Sequence, residues 1–216
     1  MTGPVLDADA LHRRLEELAR IGAIEGGGVC RLALTDEDRA ARDQLVAWMR
    51  ELGLDVAIDP IGNIVGTRRG RSDSLPVTTG SHLDTVRTGG RYDGALGVMA
   101  GLEVVAALNR EGIETERPIA VAAFTNEEGA RFVPDMMGSA VHQGSLPLDQ
   151  ALETVGTDGQ SVGSELERIG YSGDMPVKDL VPRAYLELHI EQGPVLEESG
   201  TTIGAVTGVQ LSLIHI

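Results

Sequence analysis

The chain has 216 residues, with 18 basic against 33 acidic side chains and a formal net charge of −15. This acidic balance argues against nucleic acid and against an anionic membrane surface as partners. The single cysteine, Cys30, excludes an internal disulfide, and no apolar run is long enough and free enough of charge to predict a membrane-spanning helix. The default expectation is a cytoplasmic protein.

Helical and strand patterns alternate along the chain. The first half predicts a helix from Asp7 or Asp9 to Ile21, a helix from Thr35 to Gly53, a hairpin of strands 54–58 and 64–67, a strand at 76–79 and a helix over 95–109. The second half predicts strands at 119–124, 184–190 and 202–207, and short helices near 137–142, 148–154 and 164–170. Strands that alternate with helices indicate an α/β fold with a largely parallel sheet.

Ligand-type side chains follow three of the predicted strands. They are His82, Asp84 and Asp93 after the strand at 76–79, Glu127 and Glu128 after 119–124, and His189 and Glu191 at the end of 184–190. In an open α/β sheet, ligands bind outside the carboxyl ends of the strands. Buried His and Asp side chains are costly without a partner, and a divalent metal ion would be such a partner. Two His and two carboxylates suit zinc, with manganese or cobalt as alternatives.

The spacing of these residues suggests individual roles. Residues i and i+2 of a strand face the same way, so Asp84 could hold the ring N–H of His82; a turn-capping role for Asp84 stays open. The two oxygens of Asp93 could bridge two cations. The adjacent Glu127 and Glu128 point in different directions, so one could ligate a metal ion while the other handles a proton.

Two glycine-rich motifs are interpreted as structural. Residues 159–163 match the serine-hydrolase pattern Gly-x-Ser-x-Gly, but no buried strand precedes Ser161, so we interpret them as a loop. Residues 89–94 lack the Lys-Ser/Thr of a phosphate-binding P-loop. A nucleotide-binding domain is therefore a poor alternative.

Four motifs taken together resemble the M20 metallopeptidase-like amidohydrolases. They are Gly-Ser-His-Leu-Asp-Thr-Val at 80–86, Gly-Arg-Tyr-Asp-Gly at 90–94, Thr-Asn-Glu-Glu-Gly-Ala-Arg-Phe at 125–132 and Glu-Leu-His-Ile-Glu-Gln-Gly-Pro at 187–194. Within that family the chain resembles the hydantoinase/carbamoylase branch, which contains N-carbamoyl-L-amino acid hydrolases, β-ureidopropionases and allantoate amidohydrolases. The resemblance implies a three-layer α-β-α, zinc-exopeptidase-like catalytic domain with a mostly parallel sheet.

The resemblance also implies a role for each motif residue. His82 and His189 would ligate one metal ion, Asp93 would bridge two ions, and Glu128 would ligate the second. Glu127 would be the general base. Gln192 would contact the substrate through its side-chain amide.

The implied function is hydrolysis of the C–N bond in small-molecule ureido compounds by two divalent metal ions. N-carbamoyl-L-amino acids are the favoured substrates, with the amino acid, ammonia and carbon dioxide as products. Three alternatives stay open: an allantoate amidohydrolase, an M20-type peptidase, and a non-catalytic metal-binding fragment.

The end of the chain departs from the family pattern. Family members continue into a lid and dimerisation domain, then return with one more His ligand for the second metal, and residues 211–216 do not resemble that continuation. We therefore expect residues 1–210 to be the N-terminal portion of the catalytic domain of a homodimeric parent, with no lid and with an unrelated or frameshifted tail at 211–216. His215 is not assigned as the missing ligand, and we expect this chain alone to be a weak hydrolase or an inactive one.

Overall fold

The computed structural model describes residues 3–177 and 181–208, which form five strands and seven helices. The strands are β1 (Asp55–Ile58), β2 (Ile64–Arg68), β3 (Val77–His82), β4 (Ile119–Phe124) and β5 (Ala184–Leu186). The helices are α1 (Ala8–Ala19), α2 (Asp36–Glu51), α3 (Ala95–Arg110), α4 (Met137–Gln143), α5 (Leu148–Glu153), α6 (Val162–Ile169) and α7 (Val195–Ser199). None of the helices in this described part is long and apolar enough to cross a bilayer.

Side-chain caps begin three of the helices. Asp7 accepts a hydrogen bond from the backbone N–H of Ala10, and Thr35 accepts one from Asp38, which confirms the two predicted starts. The third prediction is wrong by three residues, because Ser161 and not Ser164 caps α6. Ser161 is therefore a helix cap, and the expected loop is confirmed only up to this residue, because Val162 and Gly163 belong to the first turn of α6.

The sheet is mixed, with strand order β1-β2-β4-β3-β5. The predicted hairpin of β1 and β2 is confirmed, and β2 pairs antiparallel with β4. Only β4, β3 and β5 run parallel, so the expectation of a mostly parallel sheet holds for this half alone. The difference arises because the hairpin returns the chain against β4, a pairing that no local pattern in the sequence specifies.

Helices α1, α2 and α3 pack on one face of the sheet. Their buried side chains form one cluster with Val121 and Ala123 of β4, and this cluster is the main core. Ala120, Ala122 and Val65 form a smaller cluster, against which Phe124 and Met175 pack. Alternate residues of β4 therefore serve two cores, as expected of a strand covered on both faces.

The predictions for the last part of the chain were partly wrong. The strand expected at 184–190 is confirmed only over Ala184–Leu186, and the strand expected at 202–207 is not formed. Instead, α7 forms at Val195–Ser199, where no helix was predicted. Residues 202–207 are exposed and have no neighbouring strand in the described part of the chain to pair their backbone groups. The expected domain end at residue 210 and the tail at 211–216 lie outside the described residues.

Candidate active site

The carboxyl ends of the parallel strands and the start of α3 meet at one edge of the sheet. His82 is the last residue of β3, and Asp93 directly precedes Gly94, the N-cap of α3. His189 follows β5 by three residues. The structure brings these three side chains together. Each offers one ligand atom, and the three atoms lie within 4.8 Å of one another.

Asp93 lies between the two imidazoles. Its Oδ1 atom is 3.2 Å from Nε2 of His189 and 3.9 Å from Nε2 of His82. This oxygen is buried and accepts no hydrogen bond from the described residues. Zinc bonds of about 2.0–2.1 Å at a tetrahedral angle separate two ligand atoms by about 3.3 Å, which matches the spacing from Asp93 to His189 and is shorter than the spacing from Asp93 to His82. The three residues therefore fit a divalent metal ion, which would satisfy the buried oxygen.

The ring of His82 is held by a backbone carbonyl, and the role expected for the Asp84 carboxylate was wrong. Nδ1 of His82 lies 2.8 Å from the carbonyl oxygen of Asp84 but 4.0 Å from its carboxylate. A carbonyl only accepts, so we assign the ring proton to Nδ1, which leaves the Nε2 lone pair on the side of Asp93. The Asp84 carboxylate instead accepts the backbone N–H groups of Glu127 and Glu128, each at 3.2 Å.

Gly94 makes room for the His82 ring. A Cβ atom at position 94 would lie 2.5 Å from the ring atoms, and the residue has a φ of +62°. Both observations exclude a side chain without strain. The glycine after Asp93 thus lets the start of α3 approach His82.

Glu127 and Glu128 flank the three-residue group without belonging to it. Oε2 of Glu127 lies 3.4 Å from Nε2 of His82. Oε1 of Glu128 is buried and has no hydrogen-bond partner in the part of the chain that the structure describes. Burial raises the pKa of Glu128 to about 7; the nearby Asp93, Asp84 and Glu127 carboxylates also raise it, and His82 opposes them. Burial likewise raises the pKa of Glu127. Carboxyl groups tuned in this direction suit proton transfer near neutral pH.

Gln192 and Glu191 make contacts that the sequence did not indicate. The Gln192 side-chain amide donates a 2.6 Å hydrogen bond to Oδ2 of Asp93, so in this structure it contacts a site residue. The Glu191 carboxylate accepts the backbone N–H of Leu196 at the start of α7. Glu191 therefore satisfies a backbone N–H in the first turn of α7 and is not a member of the metal-ligating group.

Two asparagines that sequence reasoning missed hold the turn before Glu127. Asn63 accepts the backbone N–H of Thr125 at 2.9 Å and donates to the carbonyl of Gly138 at 2.9 Å. Asn126 has a φ of +53° and donates to the carbonyls of Phe132 and Pro134. Left-handed backbone of this kind is sparsely populated and clusters at functional sites. The only sequence signal was an Asn directly after Gly62 in the hairpin and another directly before the two Glu.

Comparison of the sequence with known proteins identifies its family and its relatives. The model of peptidase family M20/M25/M40 matches residues 78–214. An N-carbamoyl-L-amino-acid amidohydrolase of Rhizobium meliloti is 47% identical over 206 residues, 95% of this chain and 50% of that protein. A ureidoglycolate hydrolase of Arabidopsis thaliana is 37% identical over 94% of this chain and 45% of that protein.

The solved structures agree. A hydantoinase/carbamoylase family amidase from Burkholderia ambifaria superposes with a TM-score of 0.89 at 48% identity, covering 92% of this chain and 49% of that one. The chain thus spans about half the length of the relatives it matches. The match over most of the chain confirms the α/β fold expected from the resemblance. The chain belongs to peptidase family M20/M25/M40, in its hydantoinase/carbamoylase branch.

Proposed function

We propose that the protein containing this chain is a metal-dependent amidohydrolase that cleaves ureido compounds, with N-carbamoyl-L-amino acids as the favoured substrates. The observation that carries the proposal is the group of His82, Asp93 and His189, with two carboxyl groups of raised pKa beside it. The name of the Rhizobium meliloti relative supports the choice of substrate. The net reaction adds one water to the ureido group and gives the amino acid, ammonia and carbon dioxide.

Under this proposal, His82, Asp93 and His189 hold one divalent ion, for which zinc is favoured over manganese or cobalt. Asp93 and Glu128 would hold a second ion, because Glu128 keeps a buried oxygen with no hydrogen-bond partner among the described residues, and the charge of Asp93 is close enough to raise the pKa of Glu128. Bound metal supplies a Lewis acid and lowers the pKa of water to near neutrality.

Glu127 is the proposed general base. Its side chain is 33% exposed, so it can exchange protons with solvent, and its Oε2 reaches to 3.4 Å from His82. It takes a proton from the attacking water and delivers it to the leaving nitrogen. A raised pKa favours the first step, because a carboxylate of higher pKa is a stronger base.

Other substrates are alternatives within the same chemistry. The Arabidopsis thaliana relative is named a ureidoglycolate hydrolase, which makes ureidoglycolate a candidate. Allantoate stays open as an alternative from the family resemblance. An M20-type peptidase would cleave a peptide bond with the same groups, and a non-catalytic fragment would bind metal without turnover. A homodimeric parent, a cytoplasmic location and a substrate contact of Gln192 stay predictions.

A substrate panel tests the proposal. With the full-length protein that contains this chain, ammonia release is measured from N-carbamoyl-L- and D-amino acids, ureidoglycolate and allantoate. Dipeptide cleavage is measured beside it, and all assays contain added zinc or manganese. We expect the highest kcat/KM with an N-carbamoyl-L-amino acid and none with Glu127→Gln. Cleavage of dipeptides alone would identify a peptidase, and metal binding without any turnover would identify a non-catalytic protein.

A further inference from the structure

One side-chain contact links the strands that carry His82 and His189. The Ser81 hydroxyl donates a 2.5 Å hydrogen bond to Oε1 of Glu187, and Tyr185 donates one of 2.9 Å to Oε2. Ser81 directly precedes His82 and is 2% exposed, whereas Glu187 lies two residues before His189. None of the roles proposed above uses this contact.

The contact lies where the backbone ladder has already ended. The pairing of β3 with β5 runs from Val77–Ala184 to Thr79–Leu186 and stops there. The chain must still reach His189, three residues further on. Beyond the end of the backbone ladder, on the side of the site, the Ser81–Glu187 side-chain hydrogen bond therefore connects the two strand ends.

His189 itself has few other supports. Within residues 3–177 and 181–208, its ring has two polar contacts, Nδ1 with the carbonyl of Ile190 and Nε2 with Asp93. One contact is with the next residue in the chain and the other is with a site residue, so neither holds the segment that carries His189 in place relative to β3. His189 is also 33% exposed, so packing restrains it less than it restrains His82, which is 2% exposed.

The first turn of α3 packs against the same junction. A Cβ atom at Gly97 would lie 2.8 Å from the carbonyl oxygen of Leu188 and 2.9 Å from Cβ of Ser81. The backbone before His189 thus lies directly on the helix whose start carries Asp93. A small displacement of residues 187–189 would change the distance between His189 and Asp93.

We propose that Glu187 is a positioning residue, which holds His189 against Asp93 and His82 by accepting the hydroxyl of Ser81. The inference rests on the proposed metal site, since it concerns how that site is assembled. Because Glu187 touches no ligand atom of the three-residue group, it acts through the strand segment and not through direct coordination. Groups that hydrogen-bond a metal ligand directly typically cost about 10- to 100-fold in metal affinity when removed, and we take that range as the expectation for Glu187.

Variants of the contact separate this role from general stabilisation. Glu187→Ala and Ser81→Ala each remove the contact by deleting one partner, and the double variant deletes both partners. Glu187→Gln keeps an amide oxygen that can accept from Ser81 and serves as the rescue. Glu198→Ala removes an exposed carboxylate from the same part of the chain and serves as the matched control.

Two measurements on the 216-residue chain are made for each variant. The first is the nuclear Overhauser effect between the ring protons of His82 and His189, whose ring centroids are 6.3 Å apart, in metal-free protein. The second is zinc affinity by competition with a chromogenic chelator. Circular dichroism checks that each variant is folded.

The expected result is loss of the ring-to-ring signal and an about 10- to 100-fold weaker zinc affinity in Glu187→Ala and Ser81→Ala, with no further loss in the double variant. Glu187→Gln and Glu198→Ala should resemble the parent chain. An unchanged ring-to-ring signal in folded Glu187→Ala would overturn the inference. If the unsubstituted 216-residue chain binds no zinc, the proposed function fails. The ring-to-ring Overhauser signal of the metal-free protein then still decides the role of Glu187.

Discussion

Gln192 donates its side-chain amide to Oδ2 of Asp93 at 2.6 Å, across 99 residues of sequence. This bond fixes one oxygen of the carboxylate and leaves the other, Oδ1, between the two imidazoles. The orientation of Asp93 therefore depends on a residue that the family resemblance had implied for substrate contact only. The two roles are compatible, since Gln192 could hold Asp93 before the substrate arrives.

Replacing Gln192 separates these roles. Gln192→Ala frees Oδ2 of Asp93, and we expect zinc affinity to fall about tenfold, at the lower end of the range for outer partners of a metal site. Gln192→Glu should cost more, because a second carboxylate would lie against Asp93. Zinc competition measures both. Unchanged zinc affinity with a raised KM for the ureido substrate would leave Gln192 with the substrate role alone.

In the full-length protein that contains this chain, Glu127→Gln should abolish turnover and leave metal content intact. The substitution removes the proton acceptor beside His82 but keeps the shape of the side chain, and general-base catalysis typically contributes about 10²- to 10⁴-fold to rate. The assay is ammonia release combined with metal analysis of the purified variant. Loss of metal from Glu127→Gln would exchange the roles proposed for Glu127 and Glu128, and retained activity would remove Glu127 from the mechanism.

Asp93→Ala should harm metal binding more than His82→Ala does. Oδ1 of Asp93 faces both imidazoles, and the carboxylate is the proposed bridge between two ions, whereas His82 supports one. Removal of the bridge would also leave two cations without a shared anion between them. Titration of the metal-free variants with zinc measures the difference. Equal losses would indicate a site for a single ion.

A buried ion-pair network makes a prediction for stability against pH. Glu165 accepts hydrogen bonds from Arg131 at 2.6 Å and from Arg168 at 2.9 Å. The hydrogen bond from Arg168, with further help from Arg131, lowers the pKa of Glu165 despite burial. A carboxyl with a lowered pKa in the folded state stabilises the fold above its unfolded pKa, near 4.3, and loses that contribution as the pH falls further.

Glu165→Gln should therefore lower the free energy of unfolding at neutral pH by about 1.5–3 kcal/mol, the usual value of a hydrogen bond to a charged group. The deficit should shrink as the pH falls from about 5 to about 3, where the parent carboxyl takes up its proton. Urea denaturation at each pH measures it, with the exposed Glu167→Gln as control. A deficit that stays constant down to the lowest pH would mean that the charge of Glu165 does not stabilise the fold.

The sequence was sufficient to locate the site but not to describe its contacts. His82, Asp93 and His189 were found because the ends of neighbouring parallel strands meet at one edge of a sheet. The contact expected between Asp84 and His82 failed because residues i and i+2 face the same way only inside a strand, and β3 ends at His82. The contact between Ser81 and Glu187 joins residues that are 106 positions apart, which no local pattern reveals.

The same limit explains the errors in the fold. Residues 202–207 have a local strand pattern, yet a strand needs a neighbour to pair its backbone groups, and none is adjacent in the described residues. Whether β2 runs parallel or antiparallel to β4 likewise depends on how the strands come together in the sheet, which no local pattern specifies. Helix starts were predicted more accurately, because a cap such as Asp7 or Thr35 acts within three residues of itself.

The central claim is that His82, Asp93 and His189 bind one metal ion together, and X-ray absorption at the zinc edge tests it most directly. The zinc-loaded chain should show two imidazole ligands with light-atom bonds of about 2.0–2.1 Å, and His189→Ala should show one imidazole fewer. Coordination by oxygen atoms alone, or the same spectrum for the parent chain and His189→Ala, would contradict the claim.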